Sequence, residues 1–448
     1  MKKVLIITYY WPPSGGAGVQ RWLKFVKYLR DFGWEPIVYT AENPEAPAND
    51  ESLLKDIPPH LALLKTKIWE PYSLYKSFIG QKKSEKINAG FLSEKKKPGI
   101  TEKISIWIRG NFFIPDARKY WIVPSIKFLT KYIQNNPIDV IISTGPPHSM
   151  HMIALGLKKK LNLPWLADFR DPWTNIDFYD KLMLTKSSDA KHKQMETEVL
   201  RSANSIVAVG WTMAEEFQKI ANRKIEVIPN GYDEADFQQS IQAGYSYQLN
   251  TTATLEGFTI SHIGAMNADR NHKMFWLAIK ELISEDESFK KDIKIHLIGK
   301  TDISVKEEIN KLHLSPFVIQ TEYLPHSKIT KAMQASQVLL LALNNTPNTR
   351  GVISGKLFEY IASKRPILAI GKENGDASKI LQAVNAGVIC DFTDKMKMKE
   401  EIKKMYLLYK NKELKSNTSD ISSYSRRNQT KVLSEHLNFI FQEANNLK

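Results

Sequence analysis

The sequence predicts an α/β protein built from two Rossmann-like, doubly wound parallel-sheet domains. Three observations carry that prediction. A chain of 448 residues is too long for one core and suggests two domains of about 200 residues each. The order strand, loop, helix, strand opens the chain between Lys3 and Tyr39 and starts again at Phe258, which is the grammar of a parallel sheet. Val338–Leu343 is an unbroken apolar run, as a parallel strand covered on both faces requires.

The first strand is expected at Lys3–Thr8. Its apolar run is too short for a signal peptide and is interrupted by Trp11-Pro12-Pro13. Val19, Trp22, Leu23, Val26 and Leu29 then recur at helical spacing, Gly33 ends the helix, and Trp34–Tyr39 is the second strand. The loop between them carries Gly15, Gly16 and Gly18. Its spacing fails the dinucleotide fingerprint and no acid ends the second strand. A flexible turn explains these glycines as well as a ligand contact does.

Residues 44–125 break the α/β rhythm. Between 76 and 131 lysines and arginines far outnumber acids and alternate with aromatics such as Trp107, Phe112, Phe113 and Tyr120. That composition suits an anionic membrane surface and, equally, single-stranded nucleic acid. A solvated insertion whose aromatics pack on the sheet is the third reading.

The rhythm resumes with a strand at Ile138–Ser143, a Gly145–Ser149 turn and a helix to about Leu161. His148 and His151 stand at that helix start, where α/β folds bind ligands, although such a pair also occurs structurally. The next strand exits through Asp168, Arg170 and Asp171. Three charges at a strand end are costly unless paired or used. They are read as cleft residues, against a structural salt-bridge corner. Ser205–Val209 is a strand, Pro229-Asn230-Gly231 a turn, and Gln238–Thr254 the connection between domains. The domains are thus expected at 1–235 and 236–425, followed by a final helix at 426–448.

In the second domain, strand Phe258–Ile263 leads into Gly264 and Arg270, and strands follow at Ile293–Ile298 and Phe317–Gln320, with Tyr323 in the loop after the latter. After Val338–Leu343 comes the stretch around which the chain is organised, Arg350–Gly371. Ser354 is expected to cap its helix, and Gly355 to let backbone approach a ligand. Lys356 sits in the first turn, where the dipole disfavours a cation and a bound anion would relieve the conflict. Glu359, three residues on, shares its face. An ordinary Lys–Glu surface pair is the competing reading. For Arg270 the competitor is a surface salt bridge with Asp269 or a neighbour.

The pattern Lys-Leu-Phe-Glu-Tyr-Ile-Ala-Ser-x-x-Pro-Ile from Lys356 to Ile367 resembles the donor segment of retaining glycosyltransferases with the GT-B fold, in the large family numbered four. The resemblance implies transfer of a sugar from a nucleotide diphosphate sugar to an acceptor hydroxyl. Arg270 and Lys356 are then the diphosphate cations and Glu359 the ribose ligand. Gly15, Gly16, Gly264, Ser354, Gly355 and Tyr323 are on the donor side. Asp168, Arg170 and Asp171 line the cleft as catalytic candidates, and His148 and His151 lie toward the acceptor. Family members send the final helix back onto the N-terminal domain. Many also carry a Glu where Gly351 stands here, so the usual carboxylate beside the donor sugar is missing or comes from elsewhere.

With 63 Lys and Arg against 48 Asp and Glu the net charge is +15, which implies an anionic partner. The single Cys390 excludes internal disulfides and fits a reducing, cytoplasmic setting, peripheral to a membrane if the basic insertion seats there. No metal ligand set has the right spacing, so neither metal nor cofactor is expected beyond the donor. A lipid-linked or cell-surface glycan acceptor, and hence polysaccharide biosynthesis, follows only from the insertion. The alternatives are a GT-B sugar-nucleotide epimerase and a non-catalytic nucleotide-sugar-binding scaffold. A nucleic-acid-binding protein ranks below them, because the charge concentrates in one insertion and no recognition motif is present.

Overall fold

The computed structural model describes residues 1–45, 49–70, 100–241, 257–322, 324 and 326–446. The chain divides into two compact units, 1–229 with 426–448, and 230–425. Among the described residues the first holds strands β1 (Lys2–Ile7), β2 (Trp34–Ala41), β3 (Ala62–Thr66), β4 (Val140–Gly145), β5 (Trp165–Phe169), β6 (Ser205–Ala208) and β7 (Glu226–Val227). They form one sheet in the order β3-β2-β1-β4-β5-β6-β7, and every pairing is parallel.

Alternation along β1 explains the double layer. Val4 and Ile6 point to one face and pack with Val19, Trp22 and Val26 of helix Ala17–Leu29 and with Leu433, Leu437 and Ile440 of helix Arg426–Asn446. Leu5 and Ile7 point to the other and pack with Met150, Ile153 and Leu157 of helix Ser149–Leu161. Successive side chains on a strand face opposite ways, so an unbroken apolar run is needed when helices cover both faces.

The second unit repeats the plan with β8 (Phe258–Ile263), β9 (Ile293–Ile298), β10 (Val318–Thr321), β11 (Val338–Ala342), β12 (Ile367–Ile370) and β13 (Gly387–Cys390), in the order β10-β9-β8-β11-β12-β13. These pairings are also parallel. Phe275, Trp276 and Ile279 of helix Lys273–Glu285 and Ile402 of helix Lys395–Lys410 pack on Phe258 and Ile260.

Two expectations are corrected. The 44–125 region does not wholly leave the α/β plan, because β3 extends the sheet by pairing with β2. It also contains helix Ile100–Phe112. The expected connection at 238–254 begins inside helix Glu234–Ile241. Its remainder lies outside the described residues, as do 71–99, which hold much of the expected basic stretch.

Candidate active site

In each unit the strand order reverses direction once, and ligands of open α/β sheets bind at the strand carboxyl ends there. In the second unit the reversal lies between β8 and β11. β8 runs into Gly264, and β11 runs through Leu343 and Gly351 to helix Lys356–Ala362. The helix is fastened to the end of β8 by the Tyr360 hydroxyl, which accepts from the Ile263 N–H at 2.9 Å. One turn earlier, Lys356 therefore lies over the next residue, Gly264. A Cβ on Gly264 would stand 2.6 Å from Lys356 Cε, and Gly264 has a φ of +125°. Only glycine suits both demands.

Arg270 follows on the same loop. Its Nε donates to Asn344 Oδ1 at 2.7 Å and its Nη1 to the Ala265 carbonyl at 2.7 Å, so the side chain ties the loop after β8 to the loop after β11. Both cations are felt beneath them. The His262 imidazole is pushed down to about 4, first by burial, then by Arg270, with Lys356 adding to it. Glu359 is half-buried, and among the described residues no ion pair joins it to Lys356. The surface-pair reading of that motif therefore falls away. Ser354 does not cap the helix: the cap position is Gly355, with no side-chain cap bond. Gly355 itself has an ordinary helical φ of −56°, and a Cβ there would meet nothing within 4 Å. Tyr323 lies outside the described residues.

In the first unit the reversal lies between β1 and β4. Asp168, on β5, is 1% exposed and accepts from Arg21 Nη2 at 2.8 Å, Trp22 Nε1 at 2.7 Å and Thr144 Oγ1 at 2.8 Å. Burial pushes its carboxyl up. Arg21 beside it, with the bonds from Arg21, Trp22 and Thr144, holds it below the usual carboxylate range all the same. Asp168 is thus a sealed ion pair beneath the site, and its reading as a cleft catalyst is corrected to the salt-bridge alternative.

Arg170 is corrected too. Its Nε donates to the Gly145 carbonyl at 3.2 Å, and its two terminal nitrogens donate to the carbonyls of Gly18 and Pro146. It pins the loops after β1 and β4 together. Asp171 is exposed and reaches the wall of a cavity of about 400 Å³ whose lining includes Tyr10, Phe113, Arg118, His148 and Trp173. Tyr10, His148 and Trp173 follow the ends of β1, β4 and β5, so the cavity opens at the reversal point. His148 stacks on Trp173 with ring centres 4.4 Å apart, and its Nδ1 has no hydrogen-bond partner among the described residues. Burial, with the His151, His192 and Arg170 charges, keeps it neutral well below its usual range. His151 differs: it is fully buried, bonded through Nδ1 to Ser143 Oγ at 2.8 Å, and stands behind the wall. Gly15 is buried and Gly16 exposed, with a φ of +103° and open space around it.

Sequence reasoning missed the cavity, because its aromatic walls come from segments far apart in the chain. It also missed Arg21, which nothing in the sequence sets apart from Lys24 and Lys27 on the same helix.

Buried neutral imidazoles give both units a pH dependence. Burial, with some contribution from neighbouring charges, pushes His151 down to about 3, and His262 and His272 down to about 4. The unfolded chain binds more protons than the folded one below about pH 6.5. Stability is therefore full above that value and is lost as pH falls, by about 1.4 kcal/mol per pH unit for each group. Melting temperatures measured at pH 7 and pH 5 are expected to drop markedly. Equal values would contradict the burial of these rings.

Residues 91–236 match the model of Glycosyltransferase Family 4. Among solved structures, the chain is similar to sucrose-phosphate synthase from Thermosynechococcus elongatus, at 11% identity over 100% of both chains, with a TM-score of 0.59. It is similar to a trehalose-6-phosphate structure from E. coli bound with UDP-2-fluoro glucose, at 11% identity over 98% of this chain and 97% of that one, with a TM-score of 0.54. It is also similar to a UDP-N-acetylglucosamine 2-epimerase, at 12% identity over 99% of this chain and 97% of that one, with a TM-score of 0.54. No curated protein matches the sequence. Two parallel α/β units of this kind are the GT-B fold. Fold and family match together indicate a glycosyltransferase.

Proposed function

We propose that the enzyme moves a sugar from a nucleotide diphosphate sugar to a hydroxyl of a glycan or lipid-linked acceptor, with retention of configuration and without a metal ion, in polysaccharide biosynthesis. The observation that carries this is Lys356 lying across Gly264 beside Arg270, with no carboxylate paired to the lysine among the described residues. Two cations at the reversal point of the second sheet suit a diphosphate, and the E. coli neighbour's ligand is of that class. In this reading the half-buried Glu359 accepts from the ribose hydroxyls. The open space at Gly355 leaves room for the nucleotide to approach backbone.

In the reaction the bond from the anomeric carbon to the diphosphate oxygen breaks and a bond to the acceptor oxygen forms. The acceptor proton passes to the departing diphosphate. Lys356 and Arg270 stabilise the negative charge that develops there, which is usually the largest catalytic contribution. The aromatic cavity of the first unit, with Trp173 and His148 in its wall, is the acceptor pocket, since flat apolar rings suit the faces of sugars.

Titration calorimetry with UDP, GDP, ADP and CMP, chelator present, tests the donor half. Tight binding of one diphosphate is expected, and no binding of any overturns the proposal. The likeness to an epimerase keeps one rival in view. An epimerase converts donor alone, whereas the transferase forms no glycosidic product until an acceptor is added.

A further inference from the structure

The segment that walls the cavity has an outer side. Helix Ile100–Phe112 buries Ser105 and Ile106 but leaves Ile104 44%, Trp107 40% and Phe112 59% exposed. Nearby Trp69 is 56%, Tyr120 48% and Val123 74% exposed. The aromatic groups are joined. Trp69 meets Tyr120 with ring centres 5.1 Å apart, Tyr120 meets Phe113 at 6.3 Å, and Trp107 meets Phe112 at 5.7 Å. Lys119 links the two clusters: its Nζ lies 4.9 Å from the Tyr120 ring and donates to the Phe112 carbonyl at 2.6 Å.

A contiguous exposed apolar patch marks an interaction surface, and the surrounding charge selects the partner. Lys103 stands one turn before Trp107, and Lys127 one turn after Val123. Together with Lys119, none of these lysines forms an ion pair among the described residues. The segment's one acid with a described side chain, Asp116, is turned inward, accepting from the Ser149 N–H and hydroxyl at 2.8 Å each. Tryptophan and tyrosine with a fringe of lysines are the side chains that settle at a lipid headgroup layer.

We propose that this face seats on an anionic lipid surface, reversibly and without spanning it. Among the described residues no helix is long and apolar enough to cross a membrane. Arg109, Phe113 and Arg118 of the same segment line the cavity, so seating would hold the pocket wall at headgroup level. The lipid surface goes beyond the donor reading above and does not depend on it.

Sedimentation of the full chain with vesicles of phosphatidylcholine, alone or with phosphatidylglycerol, tests the proposal. Binding is expected only with the anionic lipid, and it is expected to weaken with salt. Trp107→Ala combined with Phe112→Ala should lower the partition coefficient by about tenfold or more. Lys119→Gln and Lys127→Gln should each lower it about fivefold. Trp107, Phe112 and Lys127 are exposed, Lys119 is half-buried, and all four lie outside the proposed donor site in the second unit, so nucleotide binding and the circular dichroism spectrum are expected to stay unchanged. Equal binding to both vesicle types, or none to either, overturns the proposal while leaving donor binding intact. So does sedimentation velocity showing a dimer that Trp107→Ala dissociates, which would assign the patch to a second copy of the chain.

Discussion

Lys356→Ala is expected to weaken nucleoside diphosphate binding by about tenfold to a hundredfold, the range for losing one charge-assisted contact to phosphate. The matching nucleoside, which has no phosphate, should bind almost as before. The fold should not suffer. Lys356 holds no ion pair among the described residues, and its helix is anchored one turn later by the Tyr360 bond to Ile263. Calorimetric titration of both ligands into both proteins reads the difference. Unchanged diphosphate affinity would remove Lys356 from the site and with it the main support for the donor reading. Gly264→Ala is a second route to the same effect, since the new methyl would displace the lysine stem 2.6 Å away without touching its charge.

Asp168→Ala is expected to do the opposite: to harm the fold and leave nucleotide binding alone. It removes the carboxylate from beside the buried Arg21 guanidinium, 1% exposed, which also donates to the carbonyls of Ile228 and Pro229. Breaking such a buried pair costs about 3–5 kcal/mol. Urea unfolding should lose stability in the transition of the first unit, while the second unit keeps its midpoint, because separate domains need not melt together. The pair also has an acid limit. Its carboxyl is depressed below the free value of 3.8, so its contribution is present above that value and is lost as pH falls through the folded one. Wild-type stability with abolished turnover would restore Asp168 to the chemistry.

The α/β layering was legible because parallel strands covered on both faces must be apolar throughout, as in Val338–Leu343 and the start of β1. Arg270, Lys356 and Glu359 could be singled out because Arg270 lies in the loop after β8 and the other two share the first turn of a helix. Their relation could not be: Lys356 over Gly264 depends on a hydrogen bond from Ile263 to Tyr360, 97 positions apart. The strand-end charges failed for a different reason. Sequence showed that Asp168 and Arg170 had to be paired or used, but Asp168 is met by Arg21, Trp22 and Thr144 and Arg170 by three backbone carbonyls. Backbone acceptors leave no mark in a sequence. The β3 strand was missed because it is a short edge strand inside a basic region, with its residues only half-buried.

The three-carbonyl grip of Arg170 divides the labour in the first unit. The loops after β1 and β4, which form the inner walls of the cavity, are bolted to one guanidinium and to each other, so neither can drift without the other. The outer wall, from Arg109 to Arg118, carries no such fastening to Arg170. A lineage, or an engineer, could therefore retailor that one stretch to admit a different ligand while the chassis beneath it stays as it is.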